Sequence, residues 1–297
     1  MNTVYKIFFL LLVCAADSVN AQPAPALAIT NTSGLQLIVA DKQFPLLKVI
    51  LPGEPVSDRG IEIEFPEHVT GLNEATNTVR HLYLVSRGST NVRTLPAWHQ
   101  EGNALVYETQ LEGNIQMTAT ARLDTDGVHY NYQFTNHSTI SYANLQAVTC
   151  VKLYSVFSDT LLERTYVHHS DGFELVASET PQRLVMPLAK WLPCRYLVSY
   201  TWPVHSPLIE KGADSITRYY KSRKADMPLI ATLSHDKKWT AATYTKETGN
   251  LWTNPERSCQ HADPYLMLPA GGSGNLELKT YIIKGQLDRL LGIVKKA

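Results

Sequence analysis

Two runs of strict alternation joined by a short turn constrain this chain more than any other feature. In Val128-His129-Tyr130-Asn131-Tyr132-Gln133-Phe134 the large apolar residues take every second place, which is the period of a strand with one face in a core. The same period sets Ile115, Met117, Ala119 and Ala121 against Gln116, Thr118, Thr120 and Arg122. Between the runs lies Leu123-Asp124-Thr125-Asp126-Gly127, whose Asp-Gly pair predicts a hairpin built on positive backbone torsions. Further strand patterns fall at 35–39, 46–51, 61–65, 79–85, 104–110, 144–154, 192–200, 229–233, 239–245 and 276–284. About a dozen strands divided by Gly, Pro and Asn turns predict an all-β fold, a large antiparallel β-sandwich. One or two short helices complete it: Leu287, Leu290, Leu291 and Val294 form an amphipathic stripe, and 155–164 reads as a brief helical turn.

The amino terminus reads as a targeting segment. Lys6 precedes an apolar run over 7–16, and small residues end the polar stretch at Val19-Asn20-Ala21, so residues 1–21 are expected to be a signal peptide. That run is shorter than the roughly 20 residues a membrane-spanning helix needs, and no later stretch is long and apolar enough to span. Residues 22–28 read as a flexible leader and 29–297 as a single β domain, with no linker or repeat to divide it. The expected location is secreted or periplasmic. Export leaves Cys150, Cys194 and Cys259, an odd count compatible with one disulfide plus a free thiol or with three buried thiols. No Cys-x-x-Cys and no zinc-type His spacing occurs, so neither a metal site nor a cofactor is expected from spacing.

Charge narrows the partners. The 27 Lys plus Arg are balanced by 27 Asp plus Glu, which argues against a nucleic-acid reader or a cationic membrane-surface binder. The absence of a glycine-rich phosphate loop opening a helix argues against Rossmann and P-loop domains. Gly-x-Ser-x-Gly, His-Glu-x-x-His and EF-hand patterns are likewise missing from the sequence.

The densest polar and aromatic block spans 251–265. If 260–263 is extended, His261 and Asp263 project from one face. An imidazole can protonate a sugar ring oxygen while a carboxylate takes the proton of a hydroxyl, which makes this pair the acid/base candidate. The competing reading is an Asp-Pro turn at Asp263-Pro264. A second block, 164–172, contributes Arg164 and His168, with His168 and His169 on opposite sides of an extended segment. A third contains Trp191 and Arg195, a ring and a guanidinium suited to stacking on a sugar and bonding its hydroxyls. Ordinary core packing is the competing reading for the aromatics. A glycosidase-type carboxylate pair drawn from Glu163, Asp171, Glu174, Glu179 and Asp263 also stays open.

Two stretches resemble the galactose-mutarotase-like (aldose epimerase-like) β-supersandwich superfamily. One is Asp126-Gly127 through Phe134-Thr135-Asn136-His137-Ser138, similar to a central strand ending in Thr-Asn. The other is the segment 259–264 with Leu268-Pro269-Ala270-Gly271-Gly272 and the strand that follows, similar to the closing pattern of an acidic residue before Pro, a Pro-Gly turn and a long last strand. The resemblance implies a carbohydrate ligand on the concave face of one sheet, no cofactor, and a late carboxylate working with a histidine. Asp263 stands in that late place, where Glu is usual, and Arg80-His81 is nearest to the early Asn-Arg motif. The resulting expectation is an exported carbohydrate-active protein. His261 and Asp263 are its acid/base pair, and Arg164, His168, Trp191 and Arg195 are its sugar contacts. The alternative is a non-catalytic carbohydrate-binding or cell-envelope module.

Overall fold

The computed structural model describes residues 27–41, 44–84, 98–180 and 192–296. The expected signal peptide, most of the expected leader, and Trp191 lie outside these residues. The described residues form two sheets, one of twelve strands and one of nine. The nine-stranded sheet runs Gly172–Leu175, Thr165–His169, Leu229–Leu233, Trp239–Tyr244, Ser273–Lys284, Gly127–Asn136, Ile115–Asp124, Ala104–Leu111 and His99–Glu101. At the centre of the twelve-stranded sheet, Ile61–Asn73, Tyr142–Leu153, Cys259–His261, Asn250–Asn254 and Cys194–Ser199 lie side by side. Neighbours are antiparallel, except that Cys194–Ser199 runs parallel to Thr217–Tyr220. The architecture is an all-β sandwich.

Alternation decides what enters the core. Met117, Tyr130, Tyr132 and Phe134 from one sheet meet Leu47, Val49, Ile63 and Phe65 from the other in a single cluster. Phe65 lies within 4.7–6.1 Å, centroid to centroid, of the rings of Tyr107, Tyr130 and Tyr132. Burying side chains of this size contributes about 1.5–3 kcal/mol each. Two of the phenols have polar partners: Tyr107 donates to the Phe65 carbonyl at 2.5 Å, and the Tyr132 hydroxyl sits 2.6 Å from Thr149 Oγ1.

The expected hairpin forms, with Asp124 paired to Gly127, but the reason for its glycine differs. Only Gly127 has a positive φ there, +146°. A Cβ at this position would lie 2.0 Å from the Thr280 carbonyl oxygen of the adjacent strand. Close approach of a third strand, added to the torsion, requires glycine. The helix near the carboxy terminus spans Leu287–Val294 and buries Leu290 and Val294 against the nine-stranded sheet. Residues 155–164 hold only the 3-10 turn Ser155–Phe157. The first strand begins at Ala28, inside the expected leader. No helix among the described residues is long and apolar enough to cross a membrane.

Candidate functional site

Register across the centre of the twelve-stranded sheet assembles a polar cluster. Glu64 pairs with Cys150, Lys152 with Cys259, and His261 with Trp252. Paired residues share a face and alternate residues return to it, so these six side chains lie on one side of the sheet. The intervening Gln260 points the other way, into the sandwich. Its amide donates to Thr232 Oγ1 at 2.9 Å and to the Ala241 carbonyl at 3.0 Å, and its carbonyl accepts from Thr243 Oγ1 at 3.0 Å. Fully buried and fully bonded, Gln260 locks the strand so that Cys259 and His261 face away from the core.

Asp263 is the hub of the cluster. Its carboxylate accepts from the Thr149 backbone N–H at 3.0 Å, from Trp252 Nε1–H at 3.2 Å, and faces His261 Nδ1 at 3.3–3.4 Å. The indole and imidazole rings stack with centroids 3.5 Å apart and planes 10° from parallel. Burial alone would push the His261 imidazole down, but the adjacent Asp263 carboxylate, together with the Cys259 thiol, outweighs it and raises the group to about 9. With Nδ1 committed to Asp263, His261 Nε2 is buried and has no hydrogen-bond partner. Such an orphan costs about 1–3 kcal/mol unless something else engages it.

Two thiols complete the buried part. Cys150 Sγ and Cys259 Sγ are 3.2 Å apart, and both residues are buried. The Cys150 thiol, and then the His261 ring, hold the Cys259 thiol below its ordinary value, while the same contact and burial raise Cys150.

Beside the cluster the strand Ile61–Asn73 bulges. Glu64 pairs with Cys150 and His68 with Val148, so two extra residues lie between these pairs. A bulge re-aims side chains that strict alternation would separate. Here Glu64, Glu67 and His68 all line one cavity of about 260 Å³, with Tyr83 on its rim. Glu64 is tied to Lys152 Nζ at 2.5 Å. Burial raises the Glu67 carboxyl, partly offset by His261, and burial with the neighbouring His81 lowers His68. The His68 and His81 rings are 5.1 Å apart.

Of the residues singled out in the sequence, His261 and Asp263 meet here, although Asp263 is committed to three donors. Arg195 lies nearby, its guanidinium 5.7 Å from the Trp252 ring and bonded to Glu256 at 2.9 Å. Arg164 and His168 are elsewhere. Arg164 donates to the Leu233 and Ser158 carbonyls, and His168 Nδ1 binds Asp226 at 2.6 Å in the nine-stranded sheet. Sequence reasoning missed Glu64, Glu67, His68, Cys150 and Cys259 as site residues. A local signal existed only for Cys259, which stands two residues before His261 on the same strand face. A larger cavity, about 500 Å³, sits over the nine-stranded sheet, where Arg122 pairs with Asp124, and Lys279 with Asp124 and Asp126. Arg122, Asp124 and Lys279 there neutralise one another, whereas the smaller cavity holds a carboxyl and an imidazole, Glu67 and His68, whose ionisation burial shifts.

No protein-family model and no curated protein sequence matches this chain. Solved structures do. A protein from Synechocystis aligns over 95% of this chain and 100% of its own at 10% identity, with a TM-score of 0.50. A putative aldose 1-epimerase from Escherichia coli covers 88% of this chain and 99% of its own at 8% identity and TM-score 0.49. An α-N-acetylgalactosaminidase from Bifidobacterium bifidum, solved with GalNAc, covers 91% of this chain at 8% identity and TM-score 0.48, over 38% of its own length. The chain has a β-sandwich fold similar to that of these structures, of the galactose-mutarotase-like kind. At such identities the likeness is one of fold.

Proposed function

We propose that the protein is exported and acts on a carbohydrate at the cavity formed by Glu64, Glu67 and His68, by acid–base chemistry on the sugar. Export rests on the signal-like residues 1–21. The observation that carries the site is the bulge in Ile61–Asn73, which brings a half-buried carboxyl and a half-buried imidazole to one cavity beside the buried His261–Asp263 pair. Glu67 and His68 are the groups a ligand can reach. His261 is fully buried and Asp263 nearly so, and Asp263 already accepts three donors, so these two build the floor of the site. In this reading the His68 imidazole, kept neutral by burial, takes the proton of a sugar hydroxyl while the Glu67 carboxyl, raised by burial, delivers its proton to the ring oxygen, and Arg195 and Trp252 extend the polar and aromatic surface alongside.

The test is an anomer-exchange assay with a panel of aldoses, together with sugar-binding and sugar-release measurements, on the full chain and on Glu67→Gln and His68→Ala. Acid–base roles predict rates lower by roughly 10²–10⁴-fold in each variant with sugar binding retained. Binding without turnover would instead assign a carbohydrate-binding module. Absence of both binding and turnover would sink the carbohydrate reading.

A further inference from the structure

We infer that Cys150, Cys259 and His261 bind a thiophilic d10 metal ion, Zn2+ or Cu+, at the inner end of the Glu64–Glu67 cavity. This is the same site as the one proposed above to meet a carbohydrate, but it stands on separate observations. Both sulfurs and a ring nitrogen of His261 lie within 4.8 Å of one another. Two adjacent strands hold them, the pairing of Lys152 with Cys259 setting the register.

The His261 ring is arranged as a metal ligand is. Nδ1 faces a carboxylate that is itself held by a backbone N–H and an indole N–H, and Nε2 is buried without a partner. A carboxylate behind the imidazole fixes its tautomer and orientation and raises its basicity toward a metal. Stacking on Trp252 holds the ring plane. Two thiolates and an imidazole select soft ions over magnesium or calcium, and three protein ligands leave one coordination position open. Carboxylate oxygens of Glu64 and Glu67 lie within 4.8 Å of Cys150 Sγ, so that position looks toward the cavity, where a carboxylate, a water or a ligand oxygen can complete the shell.

The rival for the two sulfurs is a disulfide. At 3.2 Å they would have to close by more than an ångström to reach the roughly 2.05 Å of an S–S bond. Bonds of about 2.3 Å in tetrahedral geometry place two sulfurs ~3.8 Å apart, a separation reached by opening about half an ångström. A disulfide would also leave His261 Nε2 without a partner, whereas a metal engages it. Binding involves no oxidation or reduction. The two S–H bonds break, their protons pass to solvent, and two metal–sulfur bonds and one metal–nitrogen bond form.

The experiment uses the full chain, purified anaerobically with reductant, titrated with Zn2+ or Cu+ against a chromophoric chelator and separately loaded with Co2+ for its absorption spectrum. One ion per chain is expected, with thiolate-to-cobalt charge transfer and the intense visible bands of a tetrahedral ion. Cys150→Ser, Cys259→Ser and His261→Gln should each weaken binding by more than the roughly 10–100-fold expected for Asp263→Asn, which removes only the outer partner. Cys194→Ser should bind as wild type, because Cys194 lies in a different core cluster. Near-UV circular dichroism checks that the variants fold, and the wild-type cobalt spectrum needs no variant. The inference is overturned by a reduced wild-type chain that takes up no stoichiometric ion, by a cobalt spectrum lacking the sulfur band, by folded cysteine variants that bind like wild type, or by a Cys150–Cys259 disulfide in protein isolated without reductant. Metal uptake without sugar binding would leave this inference standing and remove the carbohydrate reading. Sugar turnover in a chain that takes up no metal would do the reverse.

Discussion

Trp252 lies flat on His261, directly across the strand pair, with ring centroids 3.5 Å apart, and both side chains meet the carboxylate of Asp263. One indole therefore performs two tasks, supporting the imidazole plane and donating to its partner. Trp252→Phe keeps a ring and removes the N–H, so it should cost about 1 kcal/mol of stability. Trp252→Ala, which removes both, should cost about 2–4 kcal/mol, at or below the usual range because the indole is only half-buried. Urea unfolding of the two variants measures the difference.

Gln260 is the polar pin that sets which way the site strand faces. Replacing it with Leu leaves Thr232 and Thr243 without their amide partner in a dry interior, and the expected loss is about 1–3 kcal/mol. Chemical denaturation should show a lower midpoint with an unchanged slope. A neutral effect would mean that the threonines find other partners and that register alone orients the strand.

Gly127→Ala should destabilise by about 2 kcal/mol or more, because the added Cβ would meet the Thr280 carbonyl at 2.0 Å in a backbone conformation that L-residues avoid. Gly53→Ala is the control, since its φ is also positive, +86°, but nothing lies within 4 Å of the added Cβ. Thermal melting of the pair separates the clash from the torsion.

Acid should weaken the fold partly through Glu174. Burial raises this carboxyl, but Lys221, Ser178 and Arg223 outweigh it and hold it down to about 2, from an ordinary value near 4.5. A carboxyl depressed in the folded state adds stability that is fully present above the unfolded value and is lost as pH falls from about 4.5 toward 2. Lys221 Nζ, almost wholly buried, sits 2.6 Å from Glu174, so Glu174→Gln should cost about 1–2 kcal/mol at pH 7 after allowance for partial exposure. Stability measured against pH should show this penalty shrinking through that window. A penalty independent of pH would assign it to packing.

Legibility differed between the scaffold and the site for a physical reason. The alternation from Ile115 to Phe134 and the stripe from Leu287 to Val294 are local patterns, because strand and helix periods act over a few residues. They suffice for an all-β sandwich with one short terminal helix. The pairing of His261 with Asp263 was legible from their spacing of two residues, although the strand itself ends at His261. The bulge that turns Glu67 and His68 into a common cavity was not, because it arises from the mismatch between 64–68 on one strand and 148–150 on its neighbour.

Arg164 and His168 looked like ligand contacts because their chemistry suits a sugar, and side-chain chemistry alone does not reveal that backbone carbonyls and Asp226 already occupy them. By itself the sequence determined that the chain is built of strands and, where alternation is strict as in 115–134, which face enters the core. Only the tertiary structure decided that Cys150 meets Cys259 across 109 residues and that both meet His261. Such a meeting depends on strand order and register, where a slip of one residue would turn every one of these side chains to the opposite face.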